Sequence, residues 1–137
     1  MNIFLDANIL VAVLNKEYPL FSDVARVLSL ADNKRFKVFT SPVCLAIAFY
    51  FAEKKSGSAL AKKKISLLIS SIEIASTDVE AVRKTVSNKS VLDFEDGLEY
   101  YSALGAGCKV IITENKEDFY FSEIEVLSSQ EFLKRKF

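Results

Sequence analysis

Four aspartates and the absence of any histidine decide what chemistry this chain can do. Without histidine there is no Ser/His or Cys/His nucleophile and no metalloprotease motif. Cys44 and Cys108 form no CxxC pair and have no histidine to join them in a zinc site, so both read as buried free thiols. Any chemistry must be carried by carboxylates. Asp6 stands where the short apolar run Asn2-Ile3-Phe4-Leu5 stops, and Asp118 follows the β-branched run Lys109-Val110-Ile111-Ile112-Thr113 and its polar exit Glu114-Asn115. Asp93 and Asp96, one helical turn apart, open a helical pattern between those two runs and share a face. Carboxylates gathered at one place repel and hold protons unless a cation neutralises them. A hard divalent ion, Mg²⁺ or Mn²⁺, prefers such oxygen ligands. Bound there, it can lower the pKa of a water and offset charge on a phosphodiester under in-line attack. The reaction class that such a site would serve is metal-dependent phosphodiester hydrolysis.

The elements that must position these acids alternate between short apolar strands and helical segments, which predicts an α/β fold: three layers, α/β/α, around a central parallel sheet of about five strands with right-handed crossovers. The strands are read at 2–5, 37–40, 72–75, 109–113 and 125–127. Sites in open parallel sheets form beyond the carboxyl ends of strands, so Asp6 and Asp118 should meet at one edge with the Asp93/Asp96 helix beside them. Asn8 is read as a possible cap of the first helix, 9–14. Pro19 opens a second helix to about Ala31. Ser41 caps and Pro42 starts a third, apolar nearly all round and therefore expected to be buried on most sides, which ends near Lys55. A helix over 59–70 should turn Leu60, Ile65, Leu67, Leu68 and Ile69 inward. Gly105 and Gly107 stop the helix that begins near Asp93, and Ser129 to Phe137 closes the chain as a short helix.

At these residues the chain resembles the PIN-domain nucleases, of which the VapC-type toxins of bacterial toxin–antitoxin pairs are a large group. The resemblance is carried by LDANIL at 5–10, SPVCLAIAFY at 41–50, DFEDGLEYYSAL at 93–104 and IITENKEDF at 111–119, in order and at the family's spacing. It implies that Asp6, Asp96 and Asp118 are catalytic, metal-holding acids, with Asp93 an auxiliary and Asn8, Thr113 and Asn115 supporting polar groups. It also implies a Mg²⁺- or Mn²⁺-dependent endoribonuclease, an RNA substrate, an antitoxin protein as partner and a homodimer, as two-fold oligomers are common in general. Three positions depart from the family pattern. Ile47 stands where a glutamate is usual, Ala7 where Thr or Ser is common, and Gly97 where Ala is usual. Glu53 is a poor substitute for the missing acid, because six residues on a helix turn roughly 600° and rise about 9 Å.

The loss at Ile47 leaves a second reading open, a catalytically degenerate PIN fold that binds RNA or protein without cutting. A phosphatase of the haloacid-dehalogenase type, with Asp6 as nucleophile, is a weaker third, since Asn8 occupies the place of that family's second acid. Each candidate also has a plain structural reading: Asp6, Asp93 and Asp118 as caps, Thr113 and Asn115 as turn formers, Tyr100 and Tyr101 as core or interface residues.

The 137 residues suit one domain, 1–137, and 50% hydrophobic with 26% charged residues is a globular composition. Eighteen basic and 18 acidic residues cancel, so no global field attracts nucleic acid and any RNA contact must be local. Lys54, Lys55, Lys62 and Lys63, with Lys64, are the candidate phosphate-binding rim, or simply a solvated helix face. No secretion signal is visible, and the longest uncharged run, 38–52, is too short for a bilayer span of about 20 residues. The expectation is a cytoplasmic protein with no membrane association.

Overall fold

The computed structural model describes residues 1–135. Five strands, β1 (Asn2–Leu5), β2 (Lys37–Thr40), β3 (Glu73–Ile74), β4 (Val110–Ile112) and β5 (Glu125–Leu127), form one sheet in the order β3-β2-β1-β4-β5. Every neighbouring pair is parallel, with Phe4 opposite Phe39 on one side and Ile111 on the other. Ile3, Phe4 and Leu5 of β1 and Val110, Ile111 and Ile112 of β4 are all buried. Continuous apolar runs of this kind are what strands covered on both faces require. The chain runs outward from β1 to β2 and β3, then returns to place β4 on the other flank of β1. Its topological switch point is therefore the β1/β4 boundary, where a parallel sheet opens a crevice at the carboxyl end.

Seven helices cover the sheet: α1 (Ala7–Leu14), α2 (Phe21–Ser29), α3 (Pro42–Ser56), α4 (Ser58–Ile69), α5 (Val79–Ser87), α6 (Phe94–Gly105) and α7 (Ser129–Lys134). α1 packs on α2 and α3, and α3 on α4, while α5 and α6 pair with each other, completing a three-layer α/β/α architecture. α3 begins as the sequence suggests, with Ser41 Oγ accepting the Cys44 N–H at 3.2 Å and Pro42 at the first position. α6 ends at Gly105, and Gly107 beyond it has φ +72°, a conformation that a side chain would strain. None of the described helices is long and apolar enough to cross a membrane.

Several local expectations are corrected. Asp6, not Asn8, caps the first helix: α1 starts at Ala7, directly after the Asp6 that follows β1, so Asn8 lies inside α1. Pro19 precedes α2, which starts at Phe21 and gives way after Ser29 to a 3-10 turn at Leu30–Asp32. α3 buries only the stripe of small residues Cys44, Ala48 and Ala52, four apart, which brings α1 close. Its larger side chains Tyr50 and Phe51 are 51% and 45% exposed. On α4, Ala61 and Leu68 face the core, seven residues apart, so Leu60, Leu67 and Ile69 fall on flanking stripes and are exposed. β3 is shorter than read, Glu73–Ile74, with Ile72 and Ala75 buried at its ends. α7 ends at Lys134, and its expected extension to Phe137 reaches outside the described residues.

Candidate metal centre

Asp6 sits at the end of β1, where its carboxylate does two jobs. Oδ1 accepts the Ala7 N–H at 2.6 Å, satisfying an open donor of the first turn of α1. Oδ2 accepts the Thr113 hydroxyl at 2.7 Å and the Asn8 side-chain amide at 3.2 Å. The Asn8 amide also reaches Thr113 Oγ1 at 3.0 Å, and Asn8 Oδ1 accepts the Glu114 N–H at 3.1 Å. Thr113 Oγ1 accepts the Asn115 N–H at 3.0 Å. Residues from the ends of β1 and β4 are thus tied together across the switch point, and the buried carboxylate of Asp6 is held in one orientation by three donors.

Asp93 is the N-cap of α6, its Oδ1 accepting the Asp96 N–H at 3.2 Å, so it fixes the first turn from which Asp96 projects. Asp118 lies in the 3-10 turn Lys116–Phe119 after β4, its N–H donating to the Asn115 carbonyl at 3.1 Å. A cleft of about 460 Å³ at this edge is lined by Asp6, Asp96 and Asp118 together with Asn8 and Asn115. Asp93 stands outside its lining but adds its charge. Burial, then Asp93, Asp118 and Asp6, raise the Asp96 carboxyl to about 7. Asp118 is raised too, by burial and then by Glu117, Asp6 and Asp93. Like charges that raise one another's proton affinity are the mark of an uncompensated acidic site.

Ile47 also lines the cleft, so the α3 position singled out in the sequence faces the aspartates with an alkyl group. Glu53 is exposed and takes no part in the lining. The lysines stay off the cleft as well. Lys54 lies over the Tyr50 ring, 4.4 Å from its centroid, Lys55 donates to the Asn15 carbonyl at 2.5 Å, and Lys62 and Lys63 are exposed on α4. By Lys54 the helix has carried the chain about 10 Å past Ile47.

Sequence reasoning missed Glu99. It lies three residues after Asp96 on α6, is 2% exposed, and lines the same cleft. Burial and then the neighbouring Asp6 push its carboxyl up to about 11. One ligand atom each from Asp6, Cys44 and Glu99 lie within 4.8 Å of one another. The three-residue spacing from Asp96 was the available signal, since positions i and i+3 share a helix face. The donors that meet here are carboxylate oxygens with a single buried thiol, and they suit a hard divalent cation. Asp6 retains accepting capacity beyond its three hydrogen bonds, since a carboxylate has about four lone-pair sites.

A five-stranded parallel sheet that collects carboxylates from β1, α6 and the β4 exit defines an α/β protein with an acidic cleft at its switch point. The chain belongs to the PIN domain family, which it matches over residues 2–117. It is 26% identical over 136 residues to ribonuclease VapC1 of Aquifex aeolicus, covering 97% of this chain and 94% of that protein. Among solved structures it resembles VapBC-1 of nontypeable Haemophilus influenzae, with a TM-score of 0.74 at 17% identity, covering 95% of this chain and 99% of that one. It also resembles VapBC2 of Rickettsia felis bound to a promoter DNA fragment, with a TM-score of 0.71 at 19% identity, covering 93% and 98%.

Proposed function

We propose that this PIN-domain protein is a divalent-metal-dependent endoribonuclease of the toxin kind, formed by a single domain, 1–137, that acts in the cytoplasm as a homodimer and is restrained by an antitoxin protein. The observation that carries the reading is the convergence of Asp6, Asp96 and Asp118 on one cleft at the carboxyl edge of the sheet. The likeness to ribonuclease VapC1 and to VapBC assemblies supports the substrate class and the partner. Asp6, Asp96 and Asp118 would hold Mg²⁺ or Mn²⁺. Bound there, the ion would lower the pKa of a water and offset phosphodiester charge. The chain's own residues do the positioning: Asn8 and Thr113 lock the Asp6 carboxylate, Asp93 sets the first turn of α6, and Asn115 shapes the loop that presents Asp118.

Ile47 favours the second reading, a PIN fold that binds RNA or protein without cutting, because one wall of the cleft offers no ligand atom. An RNA-cleavage assay on purified protein, with Mn²⁺ and with EDTA, separates the two. Cleavage should require the ion and should fall to the EDTA level in Asp96→Asn and in Asp118→Asn, purified in parallel. Cleavage that survives in both variants would defeat the nuclease reading. Binding of RNA with no cleavage under any ion would favour the second.

A further inference from the structure

Glu99 is a buried acid of the cleft that the proposed metal site leaves without a task, whereas Glu17 and Glu95 of the same lining are exposed. It projects from α6 one turn beyond Asp96, 2% exposed, and its Oε2 has no hydrogen-bond partner. A buried carboxyl oxygen is rarely left unmatched, and each instance calls for a reason. Its surroundings supply one. Glu99 faces Asp6 and the buried Cys44 of α3, with one ligand atom from each of the three inside 4.8 Å. One turn further along α3 is Ile47, which lines the same cleft and has no atom to offer an ion. A second acid beside Asp6 would be a liability for an empty cleft, and it becomes an asset once a divalent cation lies between the two.

Resting on the metal-dependent reading above, we propose that Glu99 is a direct ligand of the divalent ion, so that α6 provides through Glu99 the carboxylate that Ile47 of α3 does not. The site is then four carboxylates, Asp6, Asp96, Glu99 and Asp118, with two of them one turn apart on a single helix. The competing role for Glu99 is that of a neutral acid that merely hydrogen-bonds Asp6 and holds it in place. Glutamine keeps the shape and the donor but ligates poorly, so Glu99→Gln separates these roles.

Calorimetric titration of Mn²⁺ into the wild type, Glu99→Gln, Ile47→Glu/Glu99→Gln and Asp6→Asn, with the visible spectrum of Co²⁺ on each, tests the proposal. Loss of an orienting partner can itself weaken metal binding by about 10–100-fold, so affinity alone does not decide. The expected result is weaker Mn²⁺ binding in Glu99→Gln, a changed Co²⁺ spectrum, and recovery of affinity when Ile47→Glu supplies a carboxylate from α3. Glu99→Asp, which keeps the charge but shortens the reach, should also change the Co²⁺ spectrum and serves if the glutamine variant does not fold. Unchanged affinity and spectrum in Glu99→Gln and Glu99→Asp, with binding lost in Asp6→Asn, would overturn the role of Glu99 and leave the metal site standing. No binding by the wild type would overturn the metal-dependent reading and this inference with it.

Discussion

At the residue scale the cleft is a store of carboxyl groups that hold their protons too tightly. Asp96 is raised to about 7 and Glu99 to about 11, in both cases chiefly by burial and then by neighbouring acids, and Asp118 is raised as well. A folded-state pKa above the unfolded value means that the folded form binds more protons, so stability falls as pH rises from the unfolded pKa to the folded one. For Asp96 that window runs from 3.8 to about 7, and for Glu99 it starts at 4.5 and runs to about 11. The exposed Glu131, lowered to about 2 by Lys116 and by the backbone of Ser128, works in the opposite sense but only below 4.5. In EDTA the melting temperature should therefore be lower at pH 8 than at pH 5, and Mn²⁺ should raise it more at pH 8, because the ion competes with protons for the same oxygens. Scanning calorimetry at both pH values checks this, and equal melting temperatures in EDTA would contradict the raised proton affinities. Asp6 and Asp96 were legible in the sequence because they stand at the end of a strand and the start of a helix, and Asp118 because it follows the polar exit of another strand. Glu99 was not, because an acid in mid-helix is as a rule solvated, and only the approach of β1 and α3 buries it.

At the scale of elements, the α5/α6 contact explains why glycine occupies position 97. A Cβ there would lie 2.4 Å from Thr85 Cγ2 and 2.7 Å from Val91 Cγ1, so α6 approaches α5 as closely as its backbone allows. Glycine within a helix costs about 1 kcal/mol relative to alanine. Overpacking a tight contact typically costs ~1–3 kcal/mol, and Thr85 is poorly placed to give way, being β-branched and bonded through Oγ1 to the Ala81 carbonyl at 2.7 Å. Gly97→Ala should thus be net destabilising by about 1 kcal/mol in urea denaturation. Thr85→Ser, which removes Cγ2, should recover part of the loss in the double variant. A Gly97→Ala protein more stable than wild type would show that α5 moves aside at no cost. The positions of strands and helices were readable from apolar runs and caps because those signals are local. Which face each helix buries was less so: α3 is apolar all round, yet its small residues Cys44, Ala48 and Ala52 select the buried stripe, a choice made by the closeness of α1. Likewise Asp6 rather than Asn8 caps α1 because Asp6 is the residue at which the β1 backbone leaves the sheet.

On the scale of the whole molecule, neutral charge and an acidic cleft set the terms for any RNA. The order β3-β2-β1-β4-β5, which no local pattern encodes, brings the ends of β1 and β4 together and so concentrates acids at one edge. Asp6, Glu17, Glu95, Asp96, Glu99 and Asp118 line the cleft, and no lysine or arginine among the described residues lines it. A phosphodiester approaching this surface meets like charge, and the balance of 18 basic and 18 acidic residues supplies no compensating long-range field. On the proposed function a divalent ion would act as the electrostatic bridge between the cleft and the RNA backbone, and RNA binding should depend on it. Fluorescence anisotropy with a labelled single-stranded RNA, at constant ionic strength, should show binding in Ca²⁺ or Mg²⁺ that weakens at least about tenfold in EDTA, with a shallow dependence on monovalent salt because few basic side chains contact phosphate. Retention of affinity in EDTA, together with a steep salt dependence, would mean that RNA is held elsewhere. The exposed Lys62 and Lys63 of α4 are then the surface to test, and Lys62→Glu/Lys63→Glu would abolish that binding.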